Sequence, residues 1–366
     1  MKNLVKIILF IVLFIFIWNI VFSILRIQKN SIELFYDEPK NSLDVMYYGS
    51  SSTYAFYNAP LAYNEFGFTT GIRASDGQPF NALKYLSMES LKYQNPKVSV
   101  FDVDSIAYNA TIVNEGDIRK VIDNMKMSKI RMDLTDELLD FYIDSDAEKL
   151  SYYLPFLYYH SSWKDLNSDK LYANKLFKGS ILSKLSVSVE PQEKQEWVVG
   201  DAKLTDNEYK MINDLIKYIN DSKINAIFVI SKRRFSDEAM QKFNTLTKLA
   251  NQGNIKVINF NLLDDFDVNY ETDFYNRNHL NTSGSIRYTL YLANYLKEHY
   301  NLDDHRGDKK YASWDKAFDK YKKRYNKLTK NDYENVLNNI KTEKVEEIYE
   351  ESNNWLFWSV SNKIWQ

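Results

Sequence analysis

Asp44-Val45-Met46-Tyr47-Tyr48-Gly49-Ser50-Ser51-Ser52 passes from a strand-like run into a serine-rich turn. Leu43 to Tyr48 is a short β-prone run that ends at Gly49, and three small hydroxyl residues follow. A tight turn after a strand exposes a side chain and turns backbone N–H groups inward. A serine hydroxyl becomes a useful nucleophile only when a base takes its proton and nearby N–H groups receive the oxyanion. Gly-Ser-Ser-Ser alone is a common turn. It gains weight from His279, far along the chain in Asn276-Arg277-Asn278-His279-Leu280-Asn281 and one of four histidines, with His160, His299 and His305. His279 precedes the helical run Ile286 to Leu296. From a loop before the last core helix it can reach back over a sheet to a serine after the first strand. An ordinary imidazole pKa of about 6.5 permits the base role near neutral pH.

Thr69 to Ala74 is a second candidate strand, ending before Ser75-Asp76-Gly77-Gln78-Pro79. Asn81 to Tyr93 reads as a helix, with Leu83, Leu86 and Leu91 among polar residues. Val98 to Val103 is the next strand. Ala226 to Ile230 is near-continuously apolar, as a strand buried on both faces should be, and Lys256 to Phe260 follows after a helix. Strands separated by helical stretches predict an α/β fold, a parallel sheet with helices on both faces. Such sheets hold ligands at the carboxyl ends of their strands, where Ser51 and Gly77 both fall.

Residues Ile7 to Leu25 are apolar except for Asn19 and Ser23. About nineteen residues at 1.5 Å each give roughly 28 Å of helix, enough to cross a bilayer. Lys2, Lys6 and the α-amino group precede the run and Arg26 and Lys29 follow it, so the N-terminal flank is slightly the more positive, which predicts that the rest of the chain lies outside. No small-x-small site follows the run, so an uncleaved anchor over residues 1–29 is expected, with a cleaved signal peptide as the alternative. An α/β domain is expected over 30–305, carrying a helical insertion at about 105–201, and a charged helical extension over 306–366. The extension's aromatics, Trp314, Phe318, Tyr321 and Trp355-Leu356-Phe357-Trp358, are expected to pack on the main domain, the alternative being a partner or bilayer surface.

With 47 basic against 49 acidic residues, the chain has no single-signed block that would mark a nucleic-acid surface. The absence of cysteine excludes disulfides, thiolate metal sites and cysteine nucleophiles. No zinc-type histidine motif, calcium loop or phosphate-cradling glycine motif occurs, so neither metal nor cofactor is expected.

Three blocks, Asp44 to Ser52, Ser75 to Pro79 and Asp273-Phe274-Tyr275-Asn276-Arg277-Asn278-His279-Leu280-Asn281, together resemble the SGNH/GDSL hydrolase superfamily over roughly residues 40 to 305. The likeness is to its membrane-anchored cell-envelope branch, which includes the D-alanyl teichoic-acid transfer protein and the alginate-type O-acetyltransferases. It implies a flavodoxin-like three-layer sandwich. It also implies Ser51 as nucleophile, His279 as base, and an oxyanion hole from the N–H groups of Ser51 and Gly77 beside Gln78. Where the family usually has an aspartate three residues before the histidine, this chain has Asn276, with Asp273 three residues earlier as a substitute. The implied activity is an extracytoplasmic esterase or O-acyltransferase on cell-envelope polysaccharide or teichoic acid, with a multi-pass membrane O-acyltransferase as donor partner. Two other readings stand beside it: a simple carbohydrate or lipid esterase, and a catalytically weak scaffold or glycan-binding subunit, which Asn276 motivates. Tyr159-His160-Ser161-Ser162-Trp163 resembles a histidine–tryptophan patch of related insertions. Packing within the insertion is the expectation there, with a sugar-stacking role for His160 and Trp163 as the alternative. Arg233 and Arg234, after the Ile230 strand, can meet an anionic polymer or sit in solvent, and solvent is the favoured expectation.

Overall fold

The structure, a computed structural model, describes residues 2–25, 30–108, 114–142, 146–159, 176–192 and 194–343. Five strands form its central sheet: β1 (Val45–Gly49), β2 (Thr70–Ala74), β3 (Val98–Asp102), β4 (Ala226–Ile230) and β5 (Lys256–Asn259). All neighbours pair in parallel, in the order β2-β1-β3-β4-β5. The order reverses between β1 and β3, and in doubly wound sheets the crevice at that switch point is where ligands bind.

β1, β2 and β3 are buried at every position, because helices cover both faces. Adjacent tyrosines on β1 show the alternation. The Tyr47 hydroxyl meets that of Tyr288 at 2.8 Å, on the helix Thr282–His299. Tyr48 turns the other way, beside Ser87 and Ser90 of the helix Ala82–Ser90. The helices Ser51–Phe56 and Ala59–Phe66 pack with Thr282–His299, while Asp206–Asp221 joins Ala82–Ser90 to Asp237–Gln252 on the other layer.

The described parts of the insertion are helical at first: Glu115–Ile122, Lys129–Tyr142, Asp146–Tyr153 and Phe156–Tyr159. Its second half runs back over the sheet's carboxyl end, where Val187 bridges to Phe274. Beyond His305, the helix Ala312–Thr329 and residues 333–343 close a second apolar cluster with Leu61 and Ile286, in which Phe318, Tyr321 and Tyr333 are buried. Trp314 packs on Tyr63 at 5.7 Å. These extension aromatics therefore contribute to packing. Trp355 to Trp358 lie outside the described residues.

The N-terminal run forms a helix, Lys2–Leu25. Several of its side chains lie outside the described set, and among the described residues no helix is long and apolar enough to cross a membrane.

Candidate active site

Ser51 is the first residue of the helix that follows β1, with Ser50 in extended conformation at its N-cap. Gly49 makes this turn possible by close approach: a Cβ there would lie 2.0 Å from Thr53 Oγ1 and 2.5 Å from Asp102 Cβ. The three serines divide their roles. Ser52 donates to Asp102 Oδ2 at 2.6 Å, and Ser50 Oγ lies 3.2 Å from Ser52 Oγ. Ser51 is left facing the sheet's open end.

His279 reaches Ser51 from the other end of the chain. Strands β6 (Phe274–Asn276) and β7 (His279–Leu280) form an antiparallel hairpin with Asn276 opposite His279 across the turn Arg277-Asn278. Asn281 ties this hairpin down: its Oδ1 accepts from the N–H groups of Ser283 and Gly284, and its Nδ2 donates to the carbonyls of Leu185 and Thr272. The result sets His279 Nε2 2.7 Å from Ser51 Oγ. The ring also stacks on Tyr275 at 5.4 Å.

The hydrogen-bond chain fixes proton positions. The Asn278 backbone N–H donates to Asn276 Oδ1 at 2.9 Å, so the amide must present its oxygen there. The same oxygen lies 3.0 Å from His279 Nδ1, which must then carry the proton. Nε2 is left with its lone pair toward Ser51, whose Oγ–H donates to it. This is the tautomer a general base requires.

Burial lowers the His279 pKa to about 4, with the positive charge of Arg233 adding to the fall and Asp76 opposing it. The imidazole is therefore neutral at pH 7, and among the described residues its ring nitrogens meet Asn276 and Ser51 rather than a carboxylate, with the Asp76 charge acting only from a distance. Asp273 does not supply one. Its carboxylate accepts from Arg287 Nε and from the Asn269 N–H, both at 2.9 Å. Its position beyond the far end of β6 explains this: the tight turn presents Asn276, not Asp273, to the ring. Burial still pushes the Asp273 carboxyl upward, opposed by the Asn269 N–H and by Arg287.

Gly77 has a φ of +64°, the left-handed region glycine tolerates, and a Cβ there would strike the Asp117 carboxylate at 2.3 Å. The Gln78 side chain beside it is buried, with Nε2 lacking a partner among the described residues. His160 and Trp163 lie outside the described residues. Arg233 does not sit in solvent. It is 7% exposed, paired with Asp104 at 3.2 Å, whereas Arg234 stays partly exposed near Glu190 and Glu196.

Two residues behind the nucleophile escaped the sequence reading. Asp102, at the end of β3, accepts from Ser52 and Thr53, and its Oδ1 accepts from the Asp104 N–H at 2.9 Å. Asp104 Oδ1 accepts from the Ser231 N–H at 3.1 Å. Burial pushes both carboxyls upward. The Asp104 charge adds to the rise at Asp102, while Arg233 opposes it at Asp104. The Asp-Val-Asp ending of a buried strand was the available signal, since a carboxylate there must meet donors or a cation.

Among the described residues, Asp44, Asp303 and His305 bring three metal-ligand atoms within 4.8 Å of one another. Protein groups already serve them: Asp44 Oδ2 accepts from Thr69 and lies 2.9 Å from His305 Nε2, and Asp303 pairs with Lys97 at 2.8 Å. The group precedes β1, at the end of the strand opposite Ser51. A cavity of about 660 Å³ along β5, lined by Trp197, Tyr291 and Tyr295, is likewise separate from Ser51 and His279. Compared with known proteins, the chain matches no family model and no curated sequence.

Proposed function

We propose that this chain is a serine-dependent acyl-ester hydrolase or acyltransferase of the SGNH type. In this reading the N-terminal helix anchors it, and it acts outside the membrane on cell-envelope polysaccharide or teichoic acid. The observation that carries the chemistry is the 2.7 Å contact between His279 Nε2 and Ser51 Oγ, with Asn276 holding the other ring nitrogen. The apolar run from Ile7 to Leu25 supports the anchor, and the sequence resemblance alone supports the envelope substrate.

Ser51 Oγ attacks the ester carbonyl carbon as its proton passes to His279 Nε2. The carbonyl oxygen becomes an oxyanion, for which the N–H groups of Ser51 and Gly77 are the candidate donors. Collapse breaks the bond to the leaving alcohol, which takes the proton from imidazolium and leaves an acyl-serine. Water, or a hydroxyl of the acceptor glycan, then attacks with His279 again as base. As a transferase the enzyme would receive its acyl group from a multi-pass membrane O-acyltransferase.

The test is p-nitrophenyl acetate turnover by the full-length protein in detergent, with fluorophosphonate labelling. Turnover and stoichiometric labelling, both lost in Ser51→Ala, support the reading. A folded protein that neither turns over nor labels points instead to a glycan-binding or scaffolding subunit. Asn276 is the observation that favours that second reading, because a neutral amide stands at Nδ1 where a carboxylate would stabilise the imidazolium.

A further inference from the structure

Arg233 follows β4, at the carboxyl end of the sheet where Ser51 also lies. Its guanidinium lies over the rings of Tyr108, at 4.8 Å, and Phe235, at 5.0 Å, which stack on each other at 6.1 Å. Its Nε–H is buried without a partner among the described residues, and Nη2 meets Asp104 at 3.2 Å. Asp104 is itself shared with the Ser231 N–H and crowded by Asp102. A buried guanidinium carries five donors in a planar fork, and protein groups leave this fork incompletely used. Arg277, on the turn between Asn276 and His279, is exposed, and its charge acts on the Tyr108 hydroxyl. Two cations thus act on a half-exposed tyrosine, Arg233 from over its ring and Arg277 through its charge.

This arrangement works against the base. The field of Arg233 disfavours the imidazolium that His279 must become. A positive charge held there at a cost to proton transfer finds a use if the substrate brings a negative one. We propose that Arg233, with Arg277 at the rim, forms an anion subsite that binds a carboxylate or phosphate of the substrate next to the scissile ester. The proposal rests on the acyl-ester reading of Ser51 and His279. A planar fork suits both anions through paired N–H···O bonds.

The experiment separates this proposal from that reading. Turnover of p-nitrophenyl acetate is compared with that of mono-p-nitrophenyl succinate, which carries the anion on the acyl side. Glycerol phosphate is tested as a competitive inhibitor, which places the anion on the acceptor side. Succinate and glycerol phosphate are also titrated calorimetrically into Ser51→Ala protein, where no turnover is needed. The variants, each also made on the Ser51→Ala background for calorimetry, are Arg233→Lys, which keeps the charge, and Arg233→Met paired with Asp104→Asn, which avoids an orphaned buried carboxylate. The expected result is about a 10- to 100-fold advantage for the anionic ester or a matching inhibition by glycerol phosphate. That effect should be lost in the double variant and partly kept by lysine. If esters turn over with no charge preference, no inhibition and no heat of anion binding, the subsite is refuted and the acyl-ester reading stands. If nothing turns over yet anion binding depends on Arg233, the anion site stands, its place beside a scissile ester is overturned, and the acyl-ester reading falls.

Discussion

Asn276→Asp is the most informative single change. The Asn276 oxygen now accepts from the Asn278 N–H at 2.9 Å and faces the His279 Nδ1–H at 3.0 Å. Both partners are donors, so a carboxylate of the same shape satisfies them equally and the tautomer is kept. What changes is one negative charge about 4 Å from the centre of the imidazolium. At an effective dielectric of about 20 that is about 4 kcal/mol, and solvent around the exposed turn reduces it to about 1.5–2.5 kcal/mol. The His279 pKa should then rise from about 4 by about 1–2 units. The base works only when neutral, so activity falls as pH drops through its pKa. Wild-type kcat/KM for p-nitrophenyl acetate should therefore hold its plateau down to the region of pH 4, and that limb should move upward in the variant. On the plateau the stabilised imidazolium should raise kcat/KM by about 10- to 100-fold, in line with 1.4 kcal/mol per tenfold. Aspartate-to-asparagine changes in serine proteases cost about ten-thousand-fold because the histidine takes the wrong tautomer. Here Asn278 enforces the correct one, so the gain should be smaller. A wild-type limb near the ordinary imidazole value, or an unmoved limb in the variant, would refute this account of the base.

Ser51→Ala and His279→Ala should each lower p-nitrophenyl acetate turnover by roughly a thousand-fold or more while leaving the thermal transition nearly unchanged. Asp273→Asn should destabilise the fold by about 1–3 kcal/mol, measured by urea unfolding, because it weakens the partly buried pair with Arg287. Its catalytic pH limb should stay in place, since Asp273 does not touch the ring; a shifted limb would contradict the assignment of Asn276. Gly49→Ala should displace the Ser51 turn, because the added methyl would overlap Thr53 and Asp102. A cost of about 3 kcal/mol or more and loss of serine-probe labelling are expected, and a variant as stable and reactive as wild type would show that the turn has room.

The layer architecture was legible because burial on two faces leaves a local mark: short runs such as Ala226 to Ile230 are apolar at nearly every position, and the structure places β4 there. The strand ends agree within a residue or two, since glycine and polar turns stop them. The mark is also local for the apolar N-terminal run, which forms a helix, whereas His279, expected on a loop, lies on a strand of the β6–β7 hairpin. Composition alone said that no cysteine chemistry is available.

Other features depended on matches between distant groups. Which of Ser50, Ser51 and Ser52 faces the histidine depends on Asp102, which takes Ser52 across the β1–β3 boundary. Whether Asp273 or Asn276 serves the imidazole depends on Arg287, one helix later, which claims the aspartate. Arg233 read as a solvent residue because its partners, Tyr108, Asp104 and Phe235, are mostly remote in sequence. Hydrophobic period is written along a single segment and survives without its neighbours. Proton positions and buried charges follow from donors and acceptors that only packing brings within about 3 Å, so tertiary structure alone decided them, and it gave the physical reason for Ser51, which the resemblance had only implied.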